Sequence, residues 1–356
     1  MERKTVIPIV ILVTLTMLLG TQFIRFNDIY SNSHGGWSMA EVSSAVIVVN
    51  GGNIMEAEFG DLVVWANEPD VLISILGSGT ERRFNVTVEN VRPNNIHVNG
   101  SLTGSMEYGM TSISFTAVVA PRLVKDIKLD QTGNLENFSF ALLGDSRDNP
   151  DVFRQVLKES GDWDPLFIII LGDMVNDGTR KEYDELAGLI ERAPAPIFTV
   201  PGNHDVKGNG AGYYSQMFGV YYHSFDVDNT HFIMLDNAKG YVDKEQMEWL
   251  RQDLEQSNTT SNLVFMHMPP FDPRPGSEHA MTDSANAQDL ISIFEQFQVD
   301  TVFAAHIHSY FNVTRNGVRY ILSGGGGAPL VKDAPGHHYV LVNISHGNVT
   351  TEMFVV

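Results

Sequence analysis

The chain has 356 residues, of which 43% are apolar, so it is long and apolar enough to bury more than one hydrophobic core. Its formal net charge of −20 argues against nucleic acid as the main partner, because a phosphate backbone requires a basic surface. The absence of cysteine excludes disulfides and thiolate metal ligands, and it leaves the redox compartment undetermined.

The first 25 residues have the pattern of a targeting segment. Arg3 and Lys4 precede an uncharged run over residues 5–24 that is rich in Val, Ile and Leu, and Arg25 follows it. A run of this length just spans a bilayer, which requires roughly 20 residues. No clear small-x-small cleavage site follows, so residues 1–25 are predicted to be an uncleaved signal anchor rather than a removed signal peptide. The alternative, a buried core helix, fits a terminal run between basic residues less well.

The charges around this segment predict that its N-terminal side is cytoplasmic and that the body of the protein lies outside. Residues 30–37 are polar and rich in Gly and Ser, which predicts a tether over residues 26–37. Sequons such as Asn85-Val-Thr are compatible with an external protein, although the same residues are common in turns. We therefore expect a cell-surface or extracellular protein that is anchored by its N-terminal helix, or secreted if that segment is cleaved.

Residues 38–130 have an all-β pattern. Short alternating apolar runs are separated by clusters of Gly, Pro and Asn, and the runs are AVIVV, LVVWA, VLISIL, FNVTV, ISFTAVV and IKL. This spacing predicts a small β-sandwich. The segment has no cluster of candidate ligands, and the isolated His97 is predicted to be a surface residue. The sequence does not identify a protein partner for the sandwich.

Five polar blocks between residues 144 and 308 each follow an apolar run typical of a buried strand. The runs are FSFALL, FIIIL, IFTVP, LVFM and TVFAA, and the blocks after them supply Asp145, Asp173, Asn203, His267, and the pair His306 and His308. Open α/β sheets place their active sites just past the C-terminal ends of strands. Carboxylate, amide and imidazole ligands without sulfur suit Mn, Fe or Zn. The blocks therefore predict a metal centre at the strand ends.

Amphipathic helices separate these strands. Residues 179–193 begin with a capping box formed by Thr179 and Glu182, and residues 243–256 and 285–297 have the same helical spacing of apolar side chains. Alternation of strands and helices predicts that residues 138–356 form an α/β domain.

The blocks, taken in order, resemble the calcineurin-like metallophosphoesterases, a family that includes the purple acid phosphatases. The family pattern is D-x-H, GDxxD, GNH(D/E), H and GHxH, and the resemblance covers residues 138–345. It implies a four-layer α/β/β/α catalytic domain, and the preceding β-sandwich is similar to the layout of purple acid phosphatases. It also implies hydrolysis of a phosphomonoester or phosphodiester by a hydroxide that bridges two metal ions.

The resemblance further implies a role for each matching residue. Two divalent or trivalent ions would be bound, the first by Asp145 and His308 and the second by Asn203, His267 and His306, with Asp173 bridging both. His204 would protonate the leaving oxygen or stabilise phosphoryl charge, and Asp205 would hold its orientation. Any one of these residues alone has an ordinary alternative as a helix cap or a core side chain.

The sequence departs from the family pattern at Arg147. The family has a histidine ligand at this position, whereas arginine has no lone pair to give a metal. Purple acid phosphatases use a tyrosine three residues after the bridging aspartate instead, but this chain has Asn176 there. The first metal site is therefore expected to be weak, unless the Asn176 carbonyl or water completes it. Arg147 either contacts the substrate phosphate as a bidentate donor or forms an ion pair with Asp148 or another acid.

The predicted function is an exported metal-dependent phosphoesterase that acts on a small phosphorylated substrate, with no nucleic acid as partner and with contact to the membrane through the N-terminal segment. Substrate selectivity is expected in loops at residues 207–214 and 271–283, where His279 is a hypothetical contact for the leaving group. Asp148, Asn176 and Asp177 are either loop caps or hydrogen-bond partners of ligands. The alternatives are a non-catalytic, metal-stabilised surface binding protein and a phosphatase with one metal.

Overall fold

The computed structural model describes residues 30–32, 37–42, 44–100, 102–133 and 135–356. The predicted signal anchor over residues 1–25 and most of the tether over residues 26–37 lie outside the described residues. Within these ranges, none of the helices has both the length and the apolar character needed to cross a bilayer.

The N-terminal β unit is formed by the strands before residue 132. They are β1 (Tyr30–Asn32), β2 (Trp37–Val42), β3 (Ala45–Asn50), β4 (Gly52–Glu58), β5 (Asp61–Ala66), β6 (Val71–Leu76), β7 (Arg82–Glu89), β8 (Ile96–Asn99), β9 (Leu102–Tyr108), β10 (Ser112–Val119) and β11 (Val124–Gln131). One sheet has the order β1-β2-β3-β6-β11-β8 and the other β4-β5-β7-β10-β9. Alternate side chains of both sheets, such as Ile73 and Val86, enter one shared apolar core.

The C-terminal unit begins at residue 137. Its strands are β12 (Asn137–Leu143), β13 (Ile168–Ile170), β14 (Ile197–Thr199), β15 (His223–Val227), β16 (Thr230–Met234), β17 (Ser261–Phe265), β18 (Thr301–Ala304), β19 (Tyr310–Arg315), β20 (Val318–Ser323), β21 (His338–Ser345) and β22 (Asn348–Val355). Its helices are α1 (Pro150–Gly161), α2 (Arg180–Ile190), α3 (Gly210–Phe218), α4 (Lys244–Gln256) and α5 (Ser284–Gln296).

These elements stack as helix, sheet, sheet and helix. The two sheets have the orders β14-β13-β12-β21-β22 and β15-β16-β17-β18-β20-β19. Aromatic residues such as Phe140, Phe167 and Phe265 fill the core between the sheets. Apolar faces of α4 and α5 cover the outer side of one sheet, and those of α1, α2 and α3 cover the outer side of the other.

Local signals determine where the helices begin. Thr179 and Glu182 form the predicted capping box before α2, and the side chains of Asp243 and Asp283 accept amide hydrogen bonds at the start of α4 and α5. The prediction of a loop over residues 207–214 is wrong in its second half, because Gly210 begins α3. Glycines at 208, 210 and 212 concealed this helix, which buries Tyr214 and Phe218 against the sheet.

Asn90 joins the two units. Its side-chain Nδ2 donates to the carbonyls of Ala66 and Ile197 at 2.8 and 2.7 Å, and its Oδ1 accepts from the Ile197 N–H at 2.6 Å. Ile197 begins β14, which is the edge strand of its sheet. The Asn90 amide therefore pairs with the free edge as a neighbouring strand would.

Candidate metal centre

The ends of strands from both sheets of the C-terminal unit meet at one cluster of polar side chains. Ligand atoms of Asp173, His267 and His306 lie within 4.8 Å of one another, and all three are buried or half-buried. The Asn203 Oδ1 is 3.1 Å from the His267 Nε2. The structure thus brings together the residues predicted for the second metal site.

Asp145 and His308 form a smaller group beside this cluster. The Asp145 Oδ1 is 3.3 Å from the His308 Nε2, while the Oδ2 accepts from the His306 N–H at 2.8 Å. The glycine at position 324 leaves room for this carboxylate, because an added Cβ would lie 2.6 Å from the Asp145 Oδ2. The residues predicted for the first metal site are therefore adjacent to the second set.

Three of these candidate ligands have left-handed backbone conformations. The φ angles are 56° at Asp145, 53° at Asp173 and 67° at His306, and each residue follows the end of a strand. A non-glycine residue in this region carries a strain of about 1–2 kcal/mol, and such strain concentrates at functional sites. The turns direct the side chains over the strand ends instead of continuing the strands.

Hydrogen bonds to backbone carbonyls set the orientation of two imidazoles. The Nδ1 of His267 donates to the Leu171 carbonyl, and the Nδ1 of His308 donates to the Pro329 carbonyl, both at 2.7 Å. Each ring is thereby held with its Nε2 directed into the cluster, which is the orientation of a metal-binding histidine.

Two further contacts fit a cation at this position. The His306 Nδ1 is 3.2 Å from the His267 Nε2, so two ring nitrogens face each other. Apart from the His308 Nε2 at 3.3 Å, the buried Asp145 Oδ1 has no hydrogen-bond partner. A cation would satisfy both the facing nitrogens and the unpaired oxygen. The residues present therefore fit a metal ion.

Charges inside the cluster are strongly coupled. Burial opposes ionisation of Asp173, but the neighbouring His267 outweighs it and holds the pKa of this carboxyl below its ordinary value. Burial likewise opposes a charge on His267, and Asp173 reverses that effect and raises the pKa of His267 to about 9. Burial and the charge of His267 lower the pKa of His306. The negative cluster thus holds a proton on His267, which a metal ion would displace.

His204 lies at the edge of the cluster. Its backbone N–H donates to the Asp173 Oδ1 at 2.8 Å, and its ring Nε2 is 3.9 Å from the Asp173 Oδ2. The Nδ1 is 2.6 Å from the Asn176 carbonyl and 2.7 Å from the Lys207 Nζ. This ring is partly exposed and can meet a substrate.

Asp205 does not orient His204, so that predicted role is corrected. Its carboxylate is fully buried and accepts backbone N–H bonds from Asp173, Met174, Val175 and Gly202 at 2.8–3.2 Å. Burial and the charge of Asp173 raise the pKa of Asp205 to about 7, against these amide donors. Asp205 therefore connects, through these hydrogen bonds, the two loops that supply Asp173 and Asn203.

Arg147 lies in the same cluster. Its Nη1 donates to the Asp148 Oδ2 at 2.5 Å and to the Asn176 Oδ1 at 3.2 Å, and its Nε is 3.5 Å from the Asp173 Oδ2. The ion pair with Asp148, one of the two predicted alternatives, is present. The guanidinium also faces the Asp173 carboxylate, so Arg147 contacts the cluster directly.

Asn176 and Asp177 support the loop after Asp173. The amides of Asn176 and Asp177 donate to the Glu182 carboxylate, which ties the loop after Asp173 to the start of α2. The Asp177 side chain is 69% exposed and lies 4.0 Å from the Lys207 Nζ. Within the described ranges, neither Asp148 nor Asp177 joins a group able to hold a metal ion.

Sequence reasoning missed Asn237 and Lys207. The buried Asn237 Oδ1 accepts from the N–H groups of His267 and Met268, and its Nδ2 donates to the Met268 carbonyl. Asn237 follows the apolar run HFIML, which is the signal that identified the other blocks. His279 is exposed, and its ring centroid lies 4.1 Å from that of His306, so the hypothetical substrate contact lies beside the cluster.

Comparisons with known proteins identify the class. A family model described as calcineurin-like phosphoesterase matches residues 138–310, and this confirms the resemblance. Residues 138–310 belong to the calcineurin-like phosphoesterase family, whose members are metal-dependent hydrolases of phosphate esters.

Curated relatives match the same part of the chain. A 3',5'-cyclic-nucleotide phosphodiesterase of Nostoc sp. is 27% identical over 168 residues, which are 43% of this chain and 60% of that protein. Purple acid phosphatase 23 of Arabidopsis thaliana is 30% identical over 161 residues, 37% of this chain and 34% of that protein. The chain thus spans less than two thirds of the length of either relative.

Two solved structures share the fold over most of the chain. Purple acid phosphatase PPD1 from yellow lupin (Lupinus luteus) has a TM-score of 0.53 at 11% identity, and the match covers 89% of this chain and 78% of that one. A structure of PhoD has a TM-score of 0.51 at 10% identity, covering 81% of this chain and 87% of that one. At these identities the likeness shows the fold alone.

Proposed function

We propose that this chain is a metal-dependent hydrolase of small phosphomonoesters or phosphodiesters. The observation that carries the proposal is the cluster of Asp173, His267 and His306 at the strand ends, with the His267 Nε2 directed into it and with His204 and Arg147 at its edge. A buried group of this kind is costly unless a cation occupies it.

The donor set indicates which residues would hold metal. Asp173, Asn203, His267 and His306 would bind one ion, and Asp145 and His308, together with Asp173, would hold another. Oxygen and imidazole donors without sulfur suit Mn, Fe or Zn. When bound, the ions would activate a water molecule and neutralise charge on the phosphoryl group.

The chain's own residues would position and stabilise the substrate. Contacts of the His204 Nδ1 with the Asn176 carbonyl and the Lys207 Nζ hold the ring with its Nε2 toward Asp173, where an Nε2–H can donate a proton to a leaving oxygen. The Arg147 guanidinium supplies a fixed positive charge beside the same carboxylate. Asp205 keeps the two ligand loops in register.

The relatives support a small substrate. The Nostoc relative is named for cyclic nucleotides, and a relative from Enterobacter lignolyticus, 27% identical over 177 residues, is named as a glycerophosphodiester phosphodiesterase. The net charge of −20 disfavours a polymeric nucleic acid. We therefore propose that the substrate is a small phosphorylated metabolite, nucleotide or lipid headgroup.

The test uses the full chain stripped of metal. Release of nitrophenol from p-nitrophenyl phosphate and bis(p-nitrophenyl) phosphate is followed while Mn, Fe or Zn is added. Activity should require metal and should fall at least about a thousandfold in Asp173→Asn. The matched control is Asp184→Asn, which changes an exposed carboxylate on α2 and should leave turnover unchanged. Metal-independent release, or equal rates in the two variants, would refute the proposal.

A second candidate is a non-catalytic surface protein in which metal only stabilises the fold. Arg147 favours it, because this residue stands where the family pattern has a ligand. In that case metal would raise the melting temperature of the wild type while neither ester is cleaved. His204→Ala separates the two functions, since it should abolish turnover in the enzyme without lowering metal content.

Export completes the proposal. The basic-flanked apolar run over residues 5–24 supports export, with the body outside the cell. Fractionation of cells that express the full chain, with protease added to intact cells, tests this placement. Resistance of the body to protease in intact cells, together with digestion after lysis, would overturn it.

A further inference from the structure

Building on the proposed function, we propose that the guanidinium of Arg147 takes the electrostatic place of a second metal ion beside Asp173. The chain would then bind one divalent ion tightly and a second ion only weakly. The proposal concerns how many ions the centre holds, and it can therefore be tested without measuring catalysis.

The two oxygens of Asp173 have different surroundings. The Oδ1 accepts from the His204 N–H at 2.8 Å and lies 3.4 Å from the His267 Nε2. The Oδ2 instead lies 3.5 Å from the Arg147 Nε. One oxygen therefore faces the imidazole cluster, while the other already faces a permanent cation.

The loop after β12 holds Arg147 in this position. The Arg147 N–H donates to the Asp173 carbonyl at 3.1 Å, and its side chain is only 13% exposed. Asp148 has a φ of 71°, and its carboxylate pairs with the guanidinium of its own chain neighbour. Asn176 accepts a further hydrogen bond from the same Nη1. The guanidinium is thus anchored on one side and directed at Asp173 on the other.

The two candidate metal sites also differ in their donors. Asp173, His267 and His306 form one compact group, and Asn203 adds an oxygen. Asp145 and His308 are a pair at 3.3 Å, and across the described part of the chain no third His, Asp or Glu completes a compact group with them. An ion at this pair would have fewer ligands and would be repelled by the nearby guanidinium.

Two buried polar atoms are consistent with this difference between the two sites. Both the Asp145 Oδ1 and the Arg147 Nε are buried without a hydrogen-bond partner. The Arg147 Nε–H makes no hydrogen bond but lies 3.5 Å from the Asp173 Oδ2, so its charge is directed at that carboxylate, and the Asp145 Oδ1 retains some affinity for a cation. The pair can therefore admit a second ion weakly, while Arg147 supplies the charge when that ion is absent.

The experiment measures Mn²⁺ binding to the full chain by equilibrium dialysis and by electron paramagnetic resonance. The wild type should bind one ion tightly and a second at least about tenfold more weakly, with the spectrum of an isolated ion at one equivalent. Arg147→Gln removes the charge and should tighten the second ion by about tenfold or more. Arg147→His also adds a ligand and should give a spin-coupled pair of ions at two equivalents.

Two controls make the result specific. Arg154→Gln removes an exposed arginine from α1 and should leave both affinities unchanged. Arg147→Lys keeps a positive charge and should keep the second ion weak, which also tests the idea if the neutral variants fail to fold. Circular dichroism establishes folding for each variant.

Two outcomes would overturn the inference. One is wild-type binding of two ions with equal affinity, and the other is a Lys variant that binds like the Gln variant. Ester hydrolysis with two equally tight ions would refute this inference and leave the proposed function intact. If one ion binds tightly, the affinity of the second ion depends on the charge at residue 147 and no metal supports hydrolysis, the inference stands and the proposed function is refuted.

Discussion

The exposed turn at Phe59 and the candidate metal centre use left-handed residues in opposite ways. In the N-terminal unit, Phe59 has a φ of 49° in the turn between β4 and β5, and its side chain is 95% exposed. In the C-terminal unit, Asp145 and Asp173 have nearly the same φ but are at most 1% exposed. Strain in an exposed turn only reverses the chain, whereas strain in a buried polar residue marks the candidate centre.

Asp205 provides the test with the largest expected effect, because it is buried and is hydrogen-bonded to the loops that supply Asp173 and Asn203. Asp205→Ala leaves four buried amide donors without an acceptor and should reduce the free energy of unfolding by about 4 kcal/mol. It should also abolish metal binding, since the loops of Asp173 and Asn203 lose their connection. Urea unfolding and metal analysis measure the two effects.

The control for this change is Asp184→Ala, which removes an exposed carboxylate that pairs with Arg180 on α2. Its effect on unfolding should stay within about 0.5 kcal/mol. Equal stability of the two variants would show that the buried carboxylate is not what holds the loops together.

His231 sharpens the comparison, because it is a buried charge outside the candidate centre. Burial disfavours its charge, but Asp226 and Asp253, at 2.5 and 2.8 Å from the ring nitrogens, raise the pKa of His231 to about 9 from 6.5. A raised pKa stabilises the fold fully below pH 6.5, and the contribution disappears as pH rises through 9. The pair of contacts should contribute about 3 kcal/mol at pH 6.

The measurement compares unfolding of the wild type and His231→Gln at pH 6 and pH 10. The free energy of unfolding of the variant should be lower than that of the wild type by about 3 kcal/mol at pH 6, and this difference should be smaller at pH 10. His223 should behave in the opposite sense, because burial lowers the pKa of His223 to about 4 and its contribution is lost as pH falls below 6.5. If the difference in free energy of unfolding between the wild type and His231→Gln does not change with pH, the assignment of a charge to His231 is contradicted.

Asn90 is the exception in the N-terminal unit, because it is left-handed, buried and polar. Asn90→Gly keeps a backbone that tolerates the φ of 61° and removes only the side-chain hydrogen bonds to Ala66 and Ile197. We expect a loss of about 2 kcal/mol and faster hydrogen exchange of the Ile197 amide. Unchanged protection of that amide would mean that the N-terminal unit does not secure the edge of β14.

The ligand blocks were predictable because each is a local pattern of an apolar run followed by a polar turn. That pattern placed Asp145, Asp173, Asn203, His267, His306 and His308 at strand ends, where the structure has them. Asn237 obeys the same rule but belongs to none of the five blocks of the family pattern, and in the structure its side chain binds backbone rather than facing the cluster.

The remaining features depend on contacts that no local pattern contains. Asp205 binds amides about 30 residues away, and Asn90 binds Ile197, which is 107 residues away. Alternating apolar residues predicted the strands of the N-terminal unit, but not that β5 pairs parallel with β7. The family pattern located Arg147 as a departure, whereas its contact with Asp173 required the fold.

Phe59 offers the smallest expected effect and the most direct reversal of the comparison. Phe59→Gly removes a side chain that packs against almost nothing and relieves a left-handed conformation, so the free energy of unfolding should rise by about 0.5–1 kcal/mol. The matched change at Asp145 has the same backbone benefit, yet Asp145→Gly removes a buried carboxylate that accepts from the His306 N–H, so it should destabilise the fold and lose the weaker second ion. Urea unfolding with and without Mn²⁺ compares the two variants. If Phe59→Gly instead lowers the free energy of unfolding, this exposed turn also depends on its side chain. Burial would then not distinguish the left-handed residues of the candidate centre from those that only reverse the chain.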